Sequence, residues 1–307
     1  MSCAARCATD STCTAYSYLQ ETGTCNLHHG DLALHICTKP ATTASHMQKL
    51  QTNSNAPCQN GGIPINGNTA CQCYNGFVGN NCERLMIDCT EGKNSGYYPA
   101  MKGLYQAKPS TASGPVQLRC DFQVDQVVLM RWRGDVDFNV TKASYVIGFG
   151  DANADYWTGL ESLHLVTSNS HTYTLGVQVT NVSNNPFYQR YYTGFKVKSK
   201  AEGYSMTFTS SFPGSAPASP MGDCFTELKD LPFSTYDDDN DDITSRNCAA
   251  DFGGGWWYRQ GSCAQCNLVG ELRFALNRNP GAVDDVFWLP GLNHAFSPHN
   301  LNMFLYR

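Results

Sequence analysis

From Asp88 onward the chain consists of short aromatic and β-branched runs separated by Gly, Asn and Asp, as in YTLGVQVT (173–180) and YSMTFTSSF (204–212). Runs of this kind bounded by turn residues predict an antiparallel sheet. TKASYVIGF (141–149) and YWTGLESLHLVT (156–167) are the segments that predict helix. The chain ahead of Asp88 is different. Residues 1–38 hold Cys3, Cys7, Cys13, Cys25 and Cys37 around a short helix-like stretch and a Tyr-rich strand-like one. Residues 39–53, KPATTASHMQKLQTN, are small, polar and free of cysteine, the composition of a linker. A second small module, residues 54–85, runs through Cys58, Cys71, Cys73 and Cys82. The expected architecture is an α+β domain over residues 86–307, with an antiparallel sheet and long loops, preceded by two small disulfide-rich modules. No internal repeat recurs at a fixed period.

Composition sharpens this division. Nine of the 15 cysteines lie in residues 1–85 and six in the rest, so the first part has the density of disulfide-stapled modules. With 41% hydrophobic and 15% charged residues, most of the 307-residue chain has material for a core. No apolar run approaches the ~18 residues that a membrane helix requires. The net charge of −5, with 21 basic residues and no Lys/Arg cluster, argues against a nucleic-acid surface. Met1 is not followed by the apolar stretch of a signal peptide. So many cysteines still indicate an oxidising compartment, so the sequence suggests a trimmed or truncated secreted chain.

One loop stands out chemically. Asp237, Asp238, Asp239, Asp241 and Asp242 put five carboxylates within six residues. Like charges this close repel unless solvent or a cation screens them. A hard cation with six to eight oxygen ligands suits alternating carboxylates and carbonyls in a tight loop; a solvated acidic turn is the other reading.

Segments over about 220 residues, in order, carry a resemblance: DCTEG (88–92), GLYQAKP (103–109), RCDF (119–122), GFGDANADYWTGLESLHLVT (148–167), FSTYDDDND (233–241), NCAADFGGGWWY (247–258), CAQCNL (263–268) and the closing MFLYR. Together they resemble a fibrinogen C-terminal domain. The resemblance implies a secreted, non-enzymatic recognition domain, with many members being calcium-dependent lectins for acetylated sugars. It implies calcium held by the Asp237 and Asp239 side chains and the carbonyls of Asp241 and Ile243. It also implies a ligand pocket around Asn247 and Cys248, with the Cys248 N–H aimed at an acetyl carbonyl and Phe252 as the wall for the acetyl methyl. Trp256 and Trp257 follow at family spacing, although GGGWWY alone reads as core aromatics beside a glycine turn. Two pocket positions depart from the pattern: Ala264 stands where a His is usual, and Ala282 where a Tyr is usual. The implied disulfides are Cys89–Cys120 and Cys248–Cys263, and pairing Cys224 with Cys266 uses the remaining two. Cys263-Ala-Gln-Cys266 also spells CxxC, which leaves zinc or redox chemistry as an alternative.

Residues 54–85 resemble an epidermal-growth-factor module with four of six cysteines, implying Cys58–Cys71 and Cys73–Cys82; its calcium signature is absent, so a spacer is expected. Residues 3–25 resemble the core of a PAN/apple domain, implying Cys3–Cys25 outside Cys7–Cys13. Cys37 is then left over. It is expected to bridge to another chain, to pair with an N-terminal segment this sequence lacks, or to stay a buried thiol.

Weaker signals complete the picture. Arg133-Gly134-Asp135 spells the integrin-binding tripeptide but leads into VDF, which matches a family strand edge. Asn139 and Asn181 head N-glycosylation sequons. His28–His29 is a candidate metal pair or an exposed turn, and GFGD (148–151) lacks the context of a phosphate cradle. No catalytic arrangement is visible. The expected function is a secreted, calcium-binding recognition protein, oligomeric, with glycans (acetylated among them) or extracellular proteins as partners. The alternative is a matrix or structural component whose long domain binds protein.

Overall fold

The computed structural model describes residues 13–19, 24–29, 44–48, 58–65, 70–98, 101–124, 126–132, 135–181, 187–214, 221–259, 261–270, 286–292 and 298–307. Contacts divide the chain into two units, Met1–Cys71 and Gln72–Arg307. In the first, β1 (Cys13–Leu19) is the middle strand of an antiparallel sheet between β2 (Thr24–His29) and β3 (Ala44–Gln48). β3 lies inside the segment whose composition reads as a linker. Backbone pairing forms a strand there even though the side chains give no strand signal. Cys58 is bonded to Cys71. Cys3, Cys7, Cys37 and Ala282 lie outside the described residues, as do the side chains of Cys13, Cys25, His28 and His29, so the PAN-like bridges are not described.

The second unit is built on a nine-stranded sheet. Its strands are β4 (Lys102–Ala107), β5 (Val116–Asp121), β6 (Gln126–Trp132), β7 (Phe149–Gly150), β8 (Tyr156–Trp157), β9 (Thr174–Asn181), β10 (Phe187–Thr193), β11 (Ser210–Pro213) and β12 (Pro298–Tyr306). The order is β7-β8-β6-β12-β9-β10-β11, with β5 also paired to β6 and β4 to β5, all antiparallel. Period-two alternation sets the faces. Leu175, Val177 and Val179 of β9 and Leu301, Met303 and Leu305 of β12 are buried in the core. Their neighbours Gly176, Gln178, Asn302 and Phe304 fall on the opposite face.

The expected helical segments are only partly helical. TKASYVIGF supplies α2 (Lys142–Ile147), begun by the Thr141 side chain and stopped at Gly148, whose φ of 101° continues no helix. YWTGLESLHLVT splits: Tyr156–Trp157 is strand β8, and α3 (Leu160–Thr167) starts only after Gly159. YSMTFTSSF likewise divides into a two-residue strand at Met206–Thr207 and β11. Helix α1 (Cys89–Asn94) is capped by Asp88, which accepts the Glu91 N–H at 2.9 Å.

The long unit also reaches back past residue 85 into the module expected as separate. The Tyr98 hydroxyl accepts the Gly76 N–H at 2.9 Å and donates to the Phe77 carbonyl at 2.8 Å. Val78 and Met86 belong to the unit's buried core. Cys73–Cys82, Cys89–Cys120, Cys224–Cys266 and Cys248–Cys263 are disulfides. Both cysteines of the CxxC are thereby consumed in different bridges, which removes the zinc and redox alternative for that motif.

Candidate calcium loop and recognition surface

The acidic loop is hung from buried aromatics. Ser234 and Trp256 exchange backbone hydrogen bonds at 2.9 and 3.0 Å, fixing the strand that leads into it. Trp256, Trp257 and Tyr258 are buried, so GGGWWY supplies core rather than pocket wall. Gly255 sits where no side chain fits: an added Cβ would lie 2.7 Å from the Tyr145 ring and 2.8 Å from that of Phe233. Its N–H donates to the Tyr145 hydroxyl at 3.0 Å, and that hydroxyl donates to the Phe138 carbonyl at 2.7 Å. One buried phenol thus ties helix α2 to Gly255, the residue before the Trp256 that pairs with Ser234.

Within the loop, Thr235 and Asp238 close a tight turn by reciprocal backbone bonds of 3.0 and 3.2 Å. Asn240 seals the next bend, its N–H on the Ser234 hydroxyl at 2.9 Å and its amide on the carbonyls of Phe233 and Asp238. Asp241 turns inward and is 3% exposed. One of its oxygens accepts the Ile243 N–H at 2.8 Å and the other the Cys248 N–H at 2.7 Å. Asp242 takes a left-handed conformation (φ 61°).

The other carboxylates face outward. Asp237 Oδ1 accepts the Lys142 N–H at 2.9 Å and the Thr235 hydroxyl at 2.8 Å, while Asp239 Oδ1 accepts the Asp241 N–H at 3.3 Å. Lys142 Nζ bonds Asp238 at 2.8 Å and holds its carboxyl below the usual range. Burial in the loop, together with the Asp241 charge, raises the Asp239 carboxyl. Lys142 lies 95 residues before Asp237 in the chain, and no local sequence signal announces it. No group of three Cys, His, Asp or Glu side chains converges as a metal cluster among the described residues.

Beside the loop, Asn247 caps α4 (Cys248–Phe252), accepting the Ala250 N–H at 2.9 Å. Cys248, Phe252 and Ala264 are all buried. Phe252 packs on the rings of Tyr258 and Phe287, with the Arg246 guanidinium 5.9 Å from its centroid. The donor that the resemblance aims at an acetyl group is here given to Asp241. Among the weaker signals, Arg133 and Gly134 are outside the described residues, and the Asp135 N–H donates to the buried Asp155. Asn139 is exposed, and Asn181 ends β9, with its side chain not described. GFGD is the end of α2, strand β7 and a turn closed by the Asp151 N–H on the Asp155 carbonyl.

This sheet, its disulfides and the loop define a fibrinogen-like globe. The model of the C-terminal globular domain of fibrinogen beta and gamma chains matches residues 85–306, and that of a PAN-like domain matches residues 1–34. The chain therefore belongs to the fibrinogen C-terminal domain family. It is 32% identical to angiopoietin-related protein 1 of Bos taurus over 175 residues, 56% of this chain and 33% of that protein. It is 33% identical to microfibril-associated glycoprotein 4 of Bos taurus over 198 residues, 62% of this chain and 73% of that protein. The chain thus spans about a third of the length of its angiopoietin-related relative. The fibrinogen-like globe domains of human ANGPTL6 and ANGPTL2 superpose with TM-scores of 0.62 and 0.63, at 27% and 28% identity. They cover 75% and 72% of this chain, and 96% and 98% of those domains.

Proposed function

We propose that this chain is a secreted recognition protein whose fibrinogen-like domain is stabilised by calcium bound to the Asp237–Ile243 loop, and that it acts by binding rather than by catalysis. The observation that carries this reading is the division of labour in the loop. Asp241 holds the N–H groups of Ile243 and Cys248, and the Ile243 carbonyl accepts the Arg246 N–H at 3.2 Å, so the backbone of this stretch is ordered. Asp237 and Asp239 are exposed carboxylates held through Oδ1 by hydrogen bonds at the loop, a position from which both can turn toward a cation. Two carboxylates and two carbonyls, completed by water, match the oxygen-rich shell calcium takes. A calcium ion there would supply the positive charge that offsets the crowding of Asp237, Asp239 and Asp242. Through Asp241 it would also order the Cys248 end of α4.

The partners are extracellular glycans or proteins, with residues 54–85 an EGF-like spacer and Cys37 an interchain bridge in an oligomer. A second reading, a matrix component that binds protein, is favoured by the closed pocket. The Cys248 N–H is already satisfied, Ala264 offers no imidazole, and one relative is by name microfibril-associated. Retention on an acetylated-sugar resin and on a matrix-protein resin, each with calcium and with chelator, tests the proposal. Chelator-released retention on the first supports the lectin; retention on the second alone supports the matrix reading; retention on neither refutes recognition through this domain.

A further inference from the structure

The outward face of the nine-stranded sheet brings together side chains that the calcium loop does not use. Register places them in rows across the strands. In one row Asn302 of β12 lies directly opposite Gln178 of β9, which lies opposite Gln189 of β10. In the next row, two residues along, Phe304, Gly176, Tyr191 and Phe212 follow one another over β12, β9, β10 and β11. Gly176 is required there: a Cβ would lie 2.4 Å from the Phe304 ring, which lies over the bare backbone. Tyr191 stacks on Phe212 at 5.3 Å. The result is a row of planar amides running beside a row of rings.

A cleft of about 460 Å³ lies over these rows and continues onto β5 and β6, where Gln126 adds another amide. From β5 to β10 it crosses four strand spacings, about 19 Å, the reach of an oligosaccharide rather than of one sugar. Two of the cationic side chains that line it are engaged internally. Lys102 pairs with Asp121 at 2.8 Å, and the buried Arg119 donates to the Ala152 carbonyl. Four buried side-chain polar atoms lack a hydrogen-bond partner among the described residues, and Asn300 Oδ1 is the one that lines this cleft.

We infer that this sheet face is a binding site for a neutral oligosaccharide. Sugar hydroxyls donate and accept at once, and a carboxamide is the side chain that answers both from one planar group. The apolar C–H face of a pyranose is matched by an aromatic ring, which combines large apolar area with fixed shape. Asn302, Gln178 and Gln189 would take the hydroxyl edge while the partly exposed Tyr191 carries the ring face, backed by the buried Phe304, and a donating hydroxyl would satisfy Asn300. Among the described side chains that line the cleft, Lys102 is paired with Asp121 and Arg119 is turned to a carbonyl, which favours a neutral over a sulfated or phosphorylated glycan. The inference goes beyond the calcium-loop reading and does not depend on it.

The test is titration of the full chain with cellohexaose, laminarihexaose and maltohexaose by calorimetry, in chelator, with chondroitin sulfate as the charged control. Binding of a neutral hexasaccharide that persists in chelator and in the Asp237→Ala/Asp239→Ala variant is expected. Gln178→Ala and Asn302→Ala should each weaken it about five- to tenfold, the usual value of one hydrogen bond. Tyr191→Phe should retain binding and Tyr191→Ala abolish it, with folding of each variant checked by its melting temperature. Failure of all three sugars to bind, preference for the sulfated control, or unchanged affinity in Gln178→Ala/Asn302→Ala would overturn the inference. So would loss of an extracellular protein partner, with no sugar bound, on mutating this face. Loss in chelator alone would return the site to the calcium loop.

Discussion

Asp88 is fully buried and carries four contacts that tie the start of the long domain to its last residue. Its carboxylate accepts the Glu91 N–H at 2.9 Å, the Arg307 guanidinium at 2.8 and 3.2 Å, and the Tyr173 hydroxyl. Asp88→Ala removes a helix cap, worth about 1 kcal/mol. It also strips the partner from a buried charge, which costs about 3–5 kcal/mol when both ions are enclosed. The Arg307 side chain is 22% exposed and can turn partly to water, which lowers the second figure toward about 2–3 kcal/mol. The sum is about 3–4 kcal/mol. At about 2–4 °C per kcal/mol for a domain of this size, the melting temperature should fall by about 10 °C. Asp88→Asn keeps the cap and loses the charge, so it should cost visibly less. Scanning calorimetry under non-reducing conditions measures both. A loss under about 1 kcal/mol for the alanine variant, or equal losses for the two, would refute the reasoning.

Further outcomes follow from other contacts. Burial alone would raise the Asp223 carboxyl, but bonds from Ser211 and Thr226, with Arg190 nearby, hold it below its usual range. A depressed folded pKa means stability that is complete above the unfolded value of about 3.9 and is lost as pH falls through the folded value. Asp223→Asn should therefore flatten the acid limb of a stability-against-pH curve, and an unchanged limb would contradict this. Tyr145→Phe removes the buried acceptor of the Gly255 N–H and the donor to the Phe138 carbonyl, and should cost about 1–3 kcal/mol in denaturant titration. Cys37→Ser should collapse a covalent dimer to monomer on non-reducing electrophoresis; a monomer in both lanes contradicts the bridge.

What the sequence made legible is what is local or motif-borne. The aromatic and β-branched run YTLGVQVT pointed to strand, as β9 is, and the five carboxylates marked the loop. What stayed hidden depends on register and distance. Nothing near Asp238 announces Lys142, and the pairing of Gln178 with both Asn302 and Gln189 exists only once three strands are aligned. Helices were overextended because Gly148 and Gly159 break segments whose other residues favour helix. The strand in 44–48 escaped because its pairing is made by backbone atoms, to which small polar residues are indifferent. The acidic motif marked the position of Asp241 but not that its side chain faces inward.

Calcium bound at the Asp237–Ile243 loop is proposed to stabilise the long domain. Calorimetric titration of calcium into chelator-stripped protein tests it most directly, paired with melting temperatures at saturating calcium and in chelator. One site per chain is expected, with stabilisation of about 2.7 kcal/mol at a hundredfold excess over Kd. Both signals should be absent in the Asp237→Ala/Asp239→Ala variant. No binding heat and identical melting in calcium and chelator for the unaltered chain would contradict the claim.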